Sequence, residues 1–352
     1  MWLMVNYFEV NDTIIKALQA LEKNSLHQTL FVVDKQDVCC GTLTDGDIRR
    51  YLIGGGQLTD NVEHAVHRNF ICVQQGDPTL LAKLKEFRTK KMKVVPLLDK
   101  LGHIVDVYDL INYKSHLPID AVLMAGGKGE RLRPLTEKIP KPLLKVGDKS
   151  IIDYNVERLI SYGIENINVT VNYLREQLEE HFAKPMQGIR VQTIREPRFL
   201  GTMGSVLFVE QFYNDTVLVM NSDLFTNIDY EDFFFHFKEH DADMSIAAVP
   251  YTISVPYGIF KLNGCEVKGV LEKPTYNYYA NAGIYLVKRE LLNLIPKNTF
   301  FNATDFMTLL MERGYRVIRF PLNGTWIDIG NPQEYQKAKE LVKHMKLSLI
   351  HI

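Results

Sequence analysis

Long apolar runs are missing from this sequence. Nothing in it approaches the roughly 18 consecutive apolar residues of a membrane helix, so no membrane span is expected. Charge of one sign is missing too. With 41 Lys and Arg against 42 Asp and Glu, the formal net charge is −1. No global basic field therefore points to nucleic acid or to an anionic membrane surface, and any anion site must come from a local cluster. Cysteine is scarce. Cys39, Cys40, Cys72 and Cys265 show no paired C-x-x-C spacing and read as free thiols of a reducing, cytoplasmic compartment. The opening stretch MWLMVNYFEV has no basic segment ahead of an apolar core, so no signal peptide is expected. What is present, 352 residues with 46% hydrophobic and 24% charged, is the composition of a soluble globular protein long enough for about two domains.

The chain is organised around residues 123–142, LMAGGKGERLRPLTEKIPKP. They continue an apolar run, 119–124, that reads as a buried strand. Gly126, Gly127 and Gly129 let backbone N–H groups approach an anion where no Cβ stands in the way. Lys128, Arg131, Arg133, Lys138 and Lys141 follow, a cluster able to neutralise phosphate. The glycines alone describe an ordinary strand–turn equally well, because a bare G-x-G pattern is weak. Downstream, strands at 167–171, 189–194 and 217–220 alternate with helices at 151–162, 174–182, one leaving Thr202 and one capped by Asp229. This alternation predicts an α/β fold with a mostly parallel sheet covered by helices, whose ligands bind outside the carboxyl ends of the strands. Residues 243–287 are strand-rich. Helices at 291–295 and 303–313, a strand at 315–321 and a last helix from Pro332 complete the domain 117–352.

Residues 1–116 read as a smaller α/β domain containing a repeat. Helix 13–21, strand 29–33 ending at Asp34, and a strand at 38–43 lead to Thr44-Asp45-Gly46-Asp47 and a helix at 48–52. The order recurs as helix 79–87, strand 94–98 ending at Asp99, and strand 103–107. Asp34 and Asp99 lie 99 − 34 = 65 residues apart, a period suited to paired modules.

The ordered string Ala125-Gly126-Gly127-Lys128-Gly129-Glu130-Arg131-Leu132-Arg133-Pro134-Leu135-Thr136, then Pro140-Lys141-Pro142, resembles the signature of the sugar-1-phosphate nucleotidyltransferases. The resemblance extends over everything after Ile119 and implies the Rossmann-like nucleotidyltransferase fold. It implies attack of a sugar 1-phosphate on the α-phosphorus of a nucleoside triphosphate, a reaction that needs alignment and charge neutralisation more than a nucleophilic side chain. By the same resemblance Arg131 grips the β- and γ-phosphates and Lys141 neutralises the α-phosphate. Asp223, in Asn221-Ser222-Asp223, and Asp328, in W-x-D-x-G, hold Mg²⁺, Asp223 counting among the catalytic residues. The backbone of Leu123, Ala125, Gly126 and Gly127 faces the nucleotide. Gly201 and Thr202 belong to a base-contacting L-G-T-x-G loop in which Met203 replaces the usual Ala. Glu196 accepts from a base amine or is an exposed turn carboxylate. Tyr257-Gly258, Glu272-Lys273-Pro274 and Asn281 match the sugar-phosphate segments. No hexapeptide repeat follows the last helix, so an appended β-helix is not expected.

The first half resembles a pair of cystathionine-β-synthase-type (CBS) modules, regulatory or dimerising, which often bind adenine nucleotides. Gly41, Thr44 and Asp47 match its G-x-x-T-x-x-D mark. The second copy departs from it, with Asp106, Asp109 and Asn112 in those places. Thr44 and Asp47 serve a ligand or merely cap a helix. A CBS pair fused to this catalytic domain, together with the L-G-T-x-G loop, implies a guanylyltransferase making a GDP-sugar of the glucosamine or mannose type for surface glycans or nonulosonic acids, and a homo-oligomer is expected. Uridylyl or thymidylyl transfer is the near alternative. A non-catalytic, nucleotide-sensing subunit is the distant one.

Overall fold

The computed structural model describes residues 7–23 and 27–349. The chain folds as two compact units. One runs to Leu117 and takes in Ser161–Gly163; the other holds Pro118–Ile160 and everything from Ile164 onward.

In the first unit the 65-residue period is a repeat in space. Strand Tyr7–Glu9 pairs parallel with Thr29–Val33, which pairs antiparallel with Cys39–Thr44. Val73–Gln74, Val94–Leu98 and Ile104–Asp109 repeat that order. A parallel pair needs a crossover, and helices Ile14–Lys23 and Leu80–Thr89 supply it in the two copies. The copies diverge at their ends. After Cys39–Thr44 comes helix Asp45–Ile53. After Ile104–Asp109 the chain turns instead. There Asp109 accepts the amides of Ile111 and Asn112 and the Asn112 side chain, and it makes a buried 2.9 Å contact with His27.

The second unit is built on a seven-stranded sheet in the order Gln192–Arg195, Ile167–Val171, Ile119–Met124, Thr216–Asn221, Thr275–Lys288, Met244–Ser254, Val317–Pro321. Only Thr275–Lys288 runs antiparallel to its neighbours, so the sheet is mostly parallel as the alternation predicted. Its central strands are buried throughout because helices cover both faces. Helix Tyr230–Glu239, capped by Asp229, buries Phe233, Phe234 and Phe237. Among the described residues no helix is long and apolar enough to cross a membrane.

Two local expectations are corrected. The segment after Thr202 is a short 3₁₀ turn, Gly204–Phe208, because the amides of Met203 and Gly204 donate to the Phe301 carbonyl and draw the backbone aside. The helix expected at 291–295 is instead a 3₁₀ segment, Arg289–Leu294, that ends at an extended Ile295 before Pro296. At the start of helix Ile151–Ser161 the Ser150 N–H donates to the Asp153 carboxylate at 2.9 Å.

Strands Met244–Ser254 and Thr275–Lys288 outrun the sheet. Their pairing continues from Met244↔Val287 to Ser254↔Thr275, but from Pro250 outward the strands are largely exposed. Hairpin Ile259–Asn263/Glu266–Leu271 at the tip is exposed almost throughout. The result is an arm that carries Tyr251, Tyr257, Phe260, Tyr278 and Tyr279 on its surface.

Candidate active site

A cleft of about 650 Å³ opens at the carboxyl end of strand Ile119–Met124, where parallel sheets hold their ligands. Its floor is the glycine loop. A Cβ on Gly126 would stand 2.5 Å from Glu196 Oε1, so only glycine fits against that carboxylate. Gly127 meets nothing and faces the open cleft. Gly129 adopts φ +62, and its carbonyl accepts the buried Thr136 hydroxyl at 2.9 Å. That bond closes the loop on itself and sets Arg131 on the cleft wall, its guanidinium against Gly330. Tyr173 donates to the carbonyls of Thr136 and Glu137, and Gln177 to that of Lys138. The basic loop is thereby pinned from the neighbouring helix. Leu123, expected at the nucleotide, lies fully buried in the ladder, paired with Val169 and Met220. The cleft begins at Met124 and Ala125.

Lys141, only 8% exposed, reaches the opposite wall. Its Nζ donates to Asp223 Oδ2 and lies 3.8 Å from Asp328 Oδ1. The two aspartates come together because Leu224–Thr226 pairs antiparallel with Trp326–Asp328, placing Asp328 opposite Leu224. Burial raises the Asp328 pKa first, and the Asp223 charge raises it further, while Lys141 and Arg131 pull it down. Asp223 Oδ1 is buried without a partner. Two carboxylates about one cation, with one oxygen unsatisfied, fit a hard divalent ion that takes one or two carboxylates and leaves its other positions to phosphate and water. Among the described residues no cluster of three or more His, Cys, Asp or Glu forms a closed metal cage.

The third wall holds Glu196, Gly201 and Thr202. Glu196 is no exposed turn carboxylate: it is 2% exposed, accepts the Leu200 amide at 3.3 Å, and has its pKa raised by burial. Gly201, at φ +78, packs where a Cβ would meet the Phe301 carbonyl. The Thr202 hydroxyl accepts the Ala303 amide at 2.8 Å, tying this loop to helix Ala303–Glu312.

Other expected residues lie elsewhere. Tyr257, Gly258, Glu272 and Lys273 sit on the arm and do not line the cleft. Two of them meet there: a Cβ on Gly258 would stand 3.0 Å from Glu272 Oε2. Lys273 holds φ +41, a conformation rare for a residue with a side chain. Asn281, at the base of the arm, accepts the Gly283 amide and donates to the Tyr285 hydroxyl, both at 2.9 Å. In the first unit Thr44 and Asp47 form a reciprocal capping box on helix Asp45–Ile53, with Arg50 on Asp47.

The sequence did not single out two residues of note. Phe199, 50% exposed, lines the cleft beside Phe300 at a ring separation of 5.9 Å. Asn155 is buried on helix Ile151–Ser161. Its signal was available, a polar residue on the apolar stripe of an amphipathic helix.

The nucleotidyl transferase family model matches residues 120–344, and the CBS domain model matches residues 5–54. The chain is 30% identical over 224 residues to a mannose-1-phosphate guanyltransferase of Yarrowia lipolytica, covering 61% of each chain. It is 26% identical over 245 residues to mannose-1-phosphate guanyltransferase beta-B of Xenopus laevis, covering 66% of this chain and 68% of that one. Against several such relatives the chain spans only 61% or 62% of their length. Among solved structures, HddC from Yersinia pseudotuberculosis, complexed with GMP-PN, superposes at a TM-score of 0.50 with 26% identity, over 63% of this chain and 99% of that one. The glycine loop, the lysine between two aspartates and the matched length agree: this chain belongs to the nucleotidyl transferase family and carries a CBS domain at its N-terminus.

Proposed function

We propose that this protein is a Mg²⁺-dependent sugar-1-phosphate guanylyltransferase. A phosphate oxygen of the sugar 1-phosphate attacks the α-phosphorus of GTP, the α–β bridging bond breaks, and pyrophosphate leaves with the bond's electron pair, giving a GDP-sugar. The observation that carries this is Lys141 held between Asp223 and Asp328 below the glycine loop. Mg²⁺ held by the two aspartates would screen phosphate charge from the incoming oxygen. Lys141 meets the charge that builds on the α-phosphate, Arg131 takes the β- and γ-phosphates, and Gly126 and Gly127 let backbone N–H groups approach them.

Guanine is favoured by Glu196. An ionised carboxylate only accepts hydrogen bonds, and guanine offers two adjacent donors, N1–H and N2–H, where uracil and thymine offer one. The relatives named as mannose-1-phosphate guanyltransferases support the same choice. Mannose 1-phosphate is the first sugar to test and glucosamine 1-phosphate the second. A non-catalytic subunit is disfavoured because Arg131, Lys141, Asp223 and Asp328 are all retained. Thr44 and Asp47 are proposed to serve an adenine nucleotide, and the protein is proposed to be a homo-oligomer. Titration with AMP, ADP and ATP against a Thr44→Ala control tests the first of these, and sedimentation the second.

The main test is pyrophosphate release with Mg²⁺ across GTP, UTP, dTTP, ATP and CTP and a panel of sugar 1-phosphates. Turnover is expected to be highest with GTP, and to fall at least about tenfold in Lys141→Ala and Asp223→Asn. No turnover with any pair would overturn the enzymatic reading.

A further inference from the structure

Helix Ile151–Ser161 buries Ile151, Ile152, Val156, Leu159 and Ile160, and in the same stripe a polar residue, Asn155, 2% exposed. A buried amide is tolerated only where its hydrogen bonds are made. Asn155 Nδ2 lies 2.8 Å from the Leu224 carbonyl and 3.2 Å from the Ser222 carbonyl, with its own helix's Ile151 carbonyl at 3.4 Å. Ser222 and Leu224 are the two neighbours of Asp223.

The same turn is tied from two further sides. The Ser222 hydroxyl and amide both donate to the Met124 carbonyl, at 2.7 and 3.2 Å. The Asp223 carbonyl accepts the Ile329 amide at 3.2 Å. The end of the signature strand, the helix and the W-x-D segment therefore meet at one three-residue turn. Of these ties, only Asn155 gathers the carbonyls on both sides of Asp223 with a single group. An NH₂ has two hydrogens to share between them, a hydroxyl has one, and a carboxylate has none. Asp223 needs such support because its Oδ1 has no partner of its own. With Oδ2 held by Lys141, the direction of Oδ1 follows from how the turn seats the carboxylate against that lysine.

We propose that Asn155 is a positioning residue for the acidic centre: by clamping the 222–224 turn it aims Asp223 Oδ1 toward the space it shares with Asp328. The proposal rests on the assignment of Asp223 as a metal ligand. It is tested on the full-length protein by titrating Mn²⁺, followed by electron paramagnetic resonance. The triphosphate is the one that wild type turns over best, GTP on the present assignment, with sugar phosphate absent. Asn155→Leu keeps the branching and heavy-atom count of the side chain and removes the donor. It should weaken Mn²⁺ binding about tenfold, while nucleotide binding in EDTA stays within about twofold and the far-UV spectrum is unchanged. Should Asn155→Leu fail to fold, Asn155→Ser, whose hydroxyl can turn back to the Ile151 carbonyl, should show the same loss. Asp223→Asn separates the two claims. If it loses Mn²⁺ while the Asn155 variants bind like wild type, the clamp is overturned and the metal assignment stands. If Asp223→Asn also binds like wild type, the metal assignment falls and takes the clamp with it.

Discussion

Lys141 stands between two carboxylates that would repel each other without it, and that arrangement sets what single substitutions should do. Gly126 has no room for a side chain on the Glu196 side. Gly126→Ala should therefore displace the Glu196 carboxylate and cut kcat/KM for GTP by about tenfold or more, with the fold intact by circular dichroism. Unchanged kinetics would mean that the loop tolerates the shift. Glu196→Gln replaces two acceptors by one acceptor and one donor facing guanine's donors. It should raise KM for GTP about tenfold and leave UTP nearly unaffected, since a mispaired polar group in a site is costly. Burial raises the Glu196 pKa. GTP affinity should therefore weaken as pH falls, and at a higher pH than an ordinary glutamate would allow, because protonation removes the acceptor. A pH profile of KM for GTP, flat in Glu196→Gln over the same range, checks this. At this scale the sequence named Arg131, Lys141, Asp223 and Asp328, charged residues that the fold brings together. It could not tell that Glu196 is buried or that Leu123 is core, because burial is decided by what the rest of the chain packs against them.

Among elements, the short strand Trp326–Asp328 matters more than its length suggests, because it delivers Asp328. The turn that feeds it is held by Asn227, whose Oδ1 accepts the Thr325 amide at 2.8 Å and whose amide donates to the Thr325 carbonyl at 3.0 Å. A Cβ on Gly324 would collide with that same Oδ1. Gly324→Ala and Asn227→Ala should each cost about 1–3 kcal/mol of stability and reduce turnover more than nucleotide binding. Urea unfolding together with steady-state kinetics reads both effects. The arm is the second element with consequences. If Lys273, strained at φ +41, serves the sugar phosphate, the arm has to bend toward the cleft during turnover. Lys273→Ala should then raise KM for the sugar 1-phosphate about tenfold and leave KM for GTP alone. Equal KM values for both substrates in mutant and wild type would assign the arm another task. Periodicity placed the α-helices and most strands of the main sheet, but not short strands such as Tyr7–Glu9, Leu224–Thr226 and Trp326–Asp328, and the segments after Thr202 and around Leu291 closed as 3₁₀ turns. In the first of them a distant carbonyl, Phe301, captured the amides that a longer helix would have used.

Over the whole molecule, stability depends also on groups that do not line the cleft. His116 is half-buried against Tyr108 with its Nε2 buried and unpartnered, and its pKa is lowered from 6.5 to about 4, chiefly by desolvation. The unfolded chain takes up this proton near the ordinary value, whereas the folded chain resists it until about 4. Stability should thus be fully present above about pH 6.5 and fall as pH drops toward 4, by up to about 3 kcal/mol. His116→Phe should flatten that slope in urea midpoints measured between pH 7 and pH 4.5; an unchanged slope would assign it to other groups. What the sequence by itself determined is everything written in neighbouring residues. That covers the glycine spacing that frees a backbone for phosphate, the alternation that makes a parallel sheet, and the 65-residue period of the first half. Each is a short-range constraint, legible without knowing what lies across the fold. Tertiary structure alone decided how distant residues meet. Asp223 and Asp328 are 328 − 223 = 105 residues apart and touch Lys141 only because one two-stranded register sets them side by side. Asn155 becomes a clamp only because its helix packs on that turn. Gly258 and Glu272 of the arm meet each other yet stand outside the cleft, because strand pairing carries them beyond the edge of the sheet. Such placements depend on packing between segments far apart in the chain, and no local pattern of residue types encodes them.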